Sequence, residues 1–191
     1  MRDTFENILD ERARNLLKGL QKPLPIESID FRIQSINKGG YATILAYKDA
    51  RVDMNRLNEV CGVLGWQRQH TRDNKNCTVS IWDDENKHWV SKEDTGTESM
   101  AEAQKGLASD SFKRACFNLG IGIELYDYPI ISIKLTKGVE WDLKDGKPKP
   151  LFGLKLRDWK WFSQFTDGKL NYLGCKDDKD NLRFSYGTYT K

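Results

Sequence analysis

The stretch DTGTESMAEAQKGLASDSFKRACFNLGIGIELYD, residues 94–127, decides the fold. It joins a turn at Asp94-Thr95-Gly96-Thr97, a helical run and a glycine-broken exit at Leu119-Gly120-Ile121-Gly122. Ser99-Met100-Ala101-Glu102 fits a capping box, in which the serine hydroxyl takes an orphan amide and Glu102 reaches back to the cap amide. The helix is expected over residues 99–119. At about 100° per residue, Met100, Leu107, Ala108, Phe112, Ala115 and Leu119 form a broad side for burial. Glu102, Gly106, Ser109, Asp110 and Lys113 lie opposite. A glycine inside a helix costs roughly 1 kcal/mol relative to alanine, so a close approach by another element or a ligand is expected at Gly106. Arg114 stands four residues after Asp110, where a surface ion pair worth roughly 0.3–0.5 kcal/mol is the ordinary reading. Lys113 reads as a solvated lysine. Both residues also suit phosphate, since lysine is a point charge and arginine can grip two oxygens. The stretch holds no catalytic triad, metal cluster or phosphate loop. It points to holding an anion rather than cleaving one.

Charge is unevenly placed around this stretch. The 191 residues carry a net +3 and are 31% charged and 38% hydrophobic. Residues 1–133 hold 18 Lys and Arg against 20 Asp and Glu, whereas residues 134–191 hold 13 against 8. A nucleic-acid function in the first part therefore needs local patches rather than bulk charge. No run approaches the roughly 20 apolar residues that span a bilayer, and the first residues lack the apolar core of a signal peptide. Cys61, Cys77, Cys116 and Cys175 form no CxxC pair, and His70 and His88 are the only histidines, so neither zinc nor a disulfide framework is expected. A cytoplasmic protein follows, with no cofactor and no membrane partner.

Outward from the helix, the periodicities give an α+β chain. Residues 4–20 read as an amphipathic helix capped by Thr4 and stopped by Pro23 and Pro25. Ile29, Phe31 and Ile33 alternate with Asp30, Arg32 and Gln34. A turn at Asn37-Lys38-Gly39-Gly40 and a return strand from Tyr41 to Tyr47 make a hairpin with Arg32 on its polar face and Lys38 at its tip. Residues 50–64 read as a helix capped by Asp49, with Leu57, Val60, Cys61 and Leu64 as its stripe. Residues 66–93 read as a three-stranded meander with turns at 73–76 and 83–86. Residues 130–136 are strand-like, and Lys144 to Pro150 read as a turn or linker. The aromatics from Trp159 to Tyr189 argue against disorder. They read either as a small core or subunit contact, as a basic aromatic surface for a strand, or as a docking site.

The Ser-Asp-x-x-Lys-Arg-Ala run of residues 109–115 and the Leu-Gly-x-Gly…Leu-Tyr-Asp exit resemble the Rad52 group of single-strand annealing proteins. Tyr47, Val52, Asn58-Glu59 and Gly62-x-x-Gly65-Trp66 match a second block in the right order. The resemblance covers roughly residues 26–128, and the basic C-terminal end is closer to the phage members. It implies a β-hairpin plus an antiparallel three-stranded sheet packed on a long central helix, followed here by a short β-rich extension. Residues 1–136 would form the annealing core and residues 137–191 a basic aromatic extension. It further implies ATP-independent annealing by a homo-oligomeric ring or helical array, with single-stranded DNA in a positive groove around the outside. The partners would be that strand, its complement and a host single-strand-binding protein, in the host cytoplasm if the chain is phage-encoded. The DNA contacts carry over to Lys113 and Arg114, with Lys105 a turn or two earlier, and more loosely to Arg32, Lys38 and Tyr47. Gln104 and Gly106 stand where the group commonly has charges, which leaves fewer phosphate contacts per subunit.

Two rivals fit the same residues. A non-annealing single-strand DNA-binding protein would need the same cations. A metal-dependent nuclease would rest on Glu140-Trp141-Asp142-Leu143-Lys144, although such a site wants several convergent carboxylates. The chain lacks a GxxxxGK[ST] loop, so an ATP-driven recombinase is excluded at the level of motif. A binding protein, not an enzyme, is expected.

Overall fold

A computed structural model describes residues 11–84, 86–97 and 103–190 of the chain. The architecture is α+β, with three α-helices, three three-stranded antiparallel sheets and one two-stranded ribbon among the described residues. The capping box at Ser99–Glu102, the cap at Thr4 and the first turns of the N-terminal helix lie outside the described residues. The chain forms two compact units. One comprises residues 1–23 and 49–123, the other residues 24–48 and 124–191.

In the first unit, α1 (Glu11–Gln21) ends before Pro23 as the sequence predicts. Its C-terminal carbonyls are gathered by Arg56, whose Nη1 donates to the oxygens of Gly19 at 2.9 Å and Lys22 at 2.6 Å. Helix termini leave such carbonyls without partners, so this buried arginine is a tertiary cap. The second helix, α2 (Ala50–Cys61), starts at Asp49, whose side chain accepts from the Arg51 amide. It stops at Gly62, which takes φ +74, and so ends earlier than residue 64. Leu64, expected on the apolar stripe, is instead 93% exposed.

The meander is present as β3 (Trp66–Thr71), β4 (Asn76–Asp83) and β5 (His88–Thr95). Cys77, Val79 and Ile81 of β4 are buried together, as their alternation predicts. Across this sheet lies α3 (Ala103–Phe117), which buries Leu107, Ser111, Phe112, Ala115 and Cys116. A Schellman arrangement closes it. The amides of Gly120 and Ile121 donate to the carbonyls of Phe117 and Cys116, with Gly120 at φ +92. At 15 residues against 12 for α2, α3 is one of three helices rather than a long central one. The family-like motif occupies a modest helix that covers a single small sheet.

In the second unit, the hairpin pairs β1 (Ile29–Ile36) with β2 (Tyr41–Lys48), and β6 (Ile131–Lys134) adds to the far side of β2. The Lys144–Pro150 segment, expected as a turn or linker, holds the turn and return strand of a ribbon of β7 (Trp141–Lys144) and β8 (Lys147–Pro150). Its Asp145-Gly146 loop has φ +54 and +73, the pattern of a type I′ turn. Asp167-Gly168 does the same between β9 (Lys160–Thr166) and β10 (Lys169–Lys176), and β11 (Leu182–Gly187) completes that sheet.

Among the C-terminal aromatics, Trp159 is buried and Trp161 stacks flat on Phe31 with ring centroids 3.5 Å apart. Phe162 and Tyr186 remain 43% and 46% exposed. Packing thus joins the hairpin to residues 124–191, whereas residues 137–191 have a separate functional place in the sequence reading. None of the four cysteines is in a disulfide, and burial pushes the thiols of Cys61 and Cys77 up to about 11 and that of Cys175 up to about 12. No helix among the described residues is long and apolar enough to cross a membrane.

Candidate nucleic-acid interface

Two cations of α3, Lys113 and Arg114, face carboxylates on their own unit. Gly96 lies against the helix so closely that a Cβ there would sit 2.7 Å from the Ser111 amide nitrogen. The preceding turn thus approaches α3 closely on the Leu107–Ser111 face, and Gly106 is half-buried. That turn brings Asp94 to the helix, where its Oδ1 accepts from the Arg114 Nε at 3.2 Å. Asp110 accepts from the Thr97 amide at 2.9 Å and stands 4.0 Å from the Lys113 Nζ.

Spacing along the helix pairs Asp110 with Arg114. The structure instead pairs Arg114 with Asp94 and Lys113 with Asp110, because the folded-back turn supplies a nearer carboxylate than the helix does. Lys113 is also less solvated than expected, with its side chain 24% exposed against 42% for Arg114. Partial burial would raise the Asp94 pKa, but the Thr95 amide, Arg114 and Asn118 outweigh it and hold the carboxyl below its ordinary value. The backbone of Lys105 belongs to α3, and its side chain lies outside the described residues.

On the second unit, Arg32 is exposed and its guanidinium carbon lies 5.3 Å from the centre of the Tyr47 ring. These two expected residues meet. Lys38 sits in the exposed turn between β1 and β2. At about 3.3 Å of rise per residue, the hairpin separates it from Arg32 by roughly 15–20 Å. Gly40 alone of the turn glycines takes a positive φ, +80.

Sequence reasoning missed what surrounds Lys38. An open groove of about 800 Å³ runs between the hairpin turn, the segment after β6 and the β7–β8 loop. Its lining includes Lys38, Lys134, Lys137 and Trp141 and no carboxylate. The available signal was the basic excess after residue 133, with lysines at 134 and 137. It was unreadable as a site because β6 joins the hairpin from about 90 residues away, as its Ala42–Ile133 pairing shows.

Neighbouring charge is spent on scaffold. Arg183 donates to the Glu140 Oε1 at 2.7 Å, the Asp177 Oδ2 at 3.1 Å and the Lys134 carbonyl at 3.0 Å. It lies over the Trp159 ring at 4.7 Å. Glu140, the acid on which a nuclease would rest, has its Oε1 on Arg183 and its Oε2 on both Arg183 and the Thr136 amide. Among the described residues no group of three His, Cys, Asp or Glu side chains is placed to hold a metal ion.

The sequence pattern of the Rad52/22 family, described as double-strand break repair proteins, matches residues 12–83, from α1 through the hairpin and α2 to the end of β4. The single-stranded DNA-binding protein DdrA of Deinococcus deserti is 30% identical over 159 residues, covering 78% of this chain and 71% of that protein. Its counterpart in Deinococcus radiodurans is 29% identical over 151 residues, covering 78% and 68%. The chain belongs to the Rad52/22 family.

Proposed function

We propose that this protein binds single-stranded DNA by its phosphates and anneals complementary strands without ATP, as a homo-oligomeric ring or helical array, in recombination and repair. The observation that carries the reading is the match across 78% of the chain to a relative named as a single-stranded DNA-binding protein. Lys113, Arg114 and Lys105 on one unit, and Arg32, Lys38 and Tyr47 on the other, are the residues assigned to the strand. Lysine and arginine on phosphates fix a strand without reading its sequence. A few contacts per subunit give weak binding, and repetition around an assembly multiplies them by raising the effective concentration of each next site. Bases left exposed on the held strand then pair with a complement. The pairing itself supplies the driving force, so no nucleotide is consumed.

In this scheme residues 1–136 act as the annealing core and residues 137–191 as an accessory surface for a strand or for a host single-strand-binding protein. The site of action is the cytoplasm. Kinship with phage annealing proteins rests on the basic C-terminal end, and both relatives above come from Deinococcus species.

A second reading, a protein that coats single strands without pairing them, is favoured by the relatives' name, which states binding alone. The discriminating experiment mixes two complementary oligonucleotides with the protein in EDTA without ATP. Pairing faster than the spontaneous rate is expected. Binding with no acceleration would leave the coating reading.

A further inference from the structure

We infer that the groove at the hairpin tip is a second nucleic-acid site, in which Lys38, Lys134 and Lys137 take consecutive phosphates of a single strand. This rests on the reading of the protein as a single-strand binder. It adds a site that the cations of α3 do not supply. Lys134, Lys137 and Trp141 all lie beyond residues 12–83, which the family pattern matches, so membership of the family does not assign them.

The groove is built, not incidental. The amide of Leu135 donates to the Gly40 carbonyl at 2.8 Å, tying the segment after β6 to the hairpin turn. Trp141 is buried, donates from its indole nitrogen to the Leu135 carbonyl at 3.2 Å, and packs under Gly40. A Cβ at Gly40 would lie 2.7 Å from that indole nitrogen. The Lys134 ammonium donates to the Gly39 carbonyl and lies 4.6 Å from the centre of the Tyr41 ring. The Lys137 ammonium lies 6.0 Å from the centre of the Trp141 ring. Tyr41 is 48% exposed beside them.

Charge decides the ligand. Three like charges share one concave surface, and among the described residues none of the three makes an ion pair. Of the acids near them, Glu140 and Asp177 are both held by Arg183, and Asp142 and Asp145 stand exposed on the β7–β8 ribbon outside the lining. An anion with several charged groups in a row relieves this repulsion better than a single small ion can. Ammonium groups beside an exposed aromatic ring suit a single strand, whose phosphates take the charges and whose bases can stack.

The test is fluorescence anisotropy of a labelled thymidine 30-mer across a salt series. It compares the full chain with the Lys38→Glu/Lys134→Glu/Lys137→Glu variant and with the corresponding triple arginine variant. Each single-strand phosphate contact contributes about 0.7 to the slope of log K against log salt. The glutamate variant should lose roughly tenfold or more in affinity and show a slope shallower by about 2, and the arginine variant should retain both. Unchanged far-ultraviolet circular dichroism and melting would show that the glutamate variant folds. If the wild type binds the oligonucleotide and the glutamate variant matches it in affinity and slope, the groove is not a strand site, while the single-strand reading stands. If the wild type does not bind at all, that underlying reading fails. Loss of affinity for a long-chain polyphosphate with undiminished affinity for the oligonucleotide would assign the groove to another polyanion and overturn the inference.

Discussion

The two basic regions of this molecule differ in what holds their cations. On α3, Arg114 meets Asp94 at 3.2 Å and Lys113 faces Asp110 at 4.0 Å. At the hairpin tip, Lys38, Lys134 and Lys137 line a groove that carries no carboxylate. A phosphate arriving at α3 must compete with an acid already in place, whereas one arriving at the groove relieves repulsion between like charges. The cations that are easiest to recognise in the sequence are the ones already partnered. Lys134 and Lys137, which sequence reasoning passed over, stand with Lys38 as the ones with the most to gain from a phosphate.

The strongest way to break this contrast is to remove the arginine that holds Glu140 and Asp177 beside the groove. Arg183→Ala strands Glu140 and releases the Lys134 carbonyl. Stability should fall by on the order of 3 kcal/mol, as for other ion pairs broken on one side, with the midpoint of urea unfolding as the measure. An unchanged midpoint would mean that Arg183 does not organise this unit.

The same network sets an acid limit. Burial would raise the pKa of Glu140 and of Asp177. Arg183, with the Thr136 amide for Glu140 and the Asn181 amide for Asp177, reverses this and holds both carboxyls below their ordinary values. A folded pKa lower than the unfolded one gives stability that is full above the unfolded value, about 4, and is lost as pH falls through the folded value. Melting temperature should therefore hold from pH 7 to about 5 and drop below about 4. The drop should be smaller in Arg183→Ala, where Arg183's part of the depression is gone.

Gly40→Ala tests the turn alone. It places a side chain at φ +80 and against Trp141. It should cost about 2 kcal/mol from strain and overpacking together and weaken the groove while leaving the α3 cations intact. Lys113→Ala with Arg114→Ala tests the other region. It should weaken binding by up to about tenfold, uniformly across sequences, and flatten the salt slope by about 1.4, two single-strand contacts. The smallest effect sharpens the contrast most. Asp94→Asn keeps the shape but frees Arg114, and should tighten single-strand binding by about two- to fivefold, the range of an exposed ion pair. A weaker or unchanged affinity would show that Asp94 does not compete with phosphate.

Legibility in the sequence followed the range of the interactions. The alternation of Cys77, Val79 and Ile81, the cap at Asp49 and the hairpin of Ile29 to Tyr47 are set by neighbours a few positions away, and each is where the local sequence predicts it. The end of α2 was read too late because Leu64 fits the helical period while Gly62 and Gly65 break the backbone. The partner of Arg114 was misread for a related reason. Asp110 is four residues away along the helix, but Asp94 is brought in by Gly96, whose missing side chain lets the turn lie on the helix backbone. The groove depends on β6 joining β2 and on Arg183 reaching back to Glu140, contacts that join residues dozens of positions apart and leave no periodic trace.

Direct binding tests the central claim that this chain holds single-stranded DNA. Anisotropy of a labelled 30-mer should be measured as a single strand and as a duplex, in EDTA, from 50 to 200 mM salt. The account predicts tighter binding to the single strand, with log K falling linearly against log salt. No binding at the lowest salt, or equal affinity for duplex and single strand throughout, would contradict it.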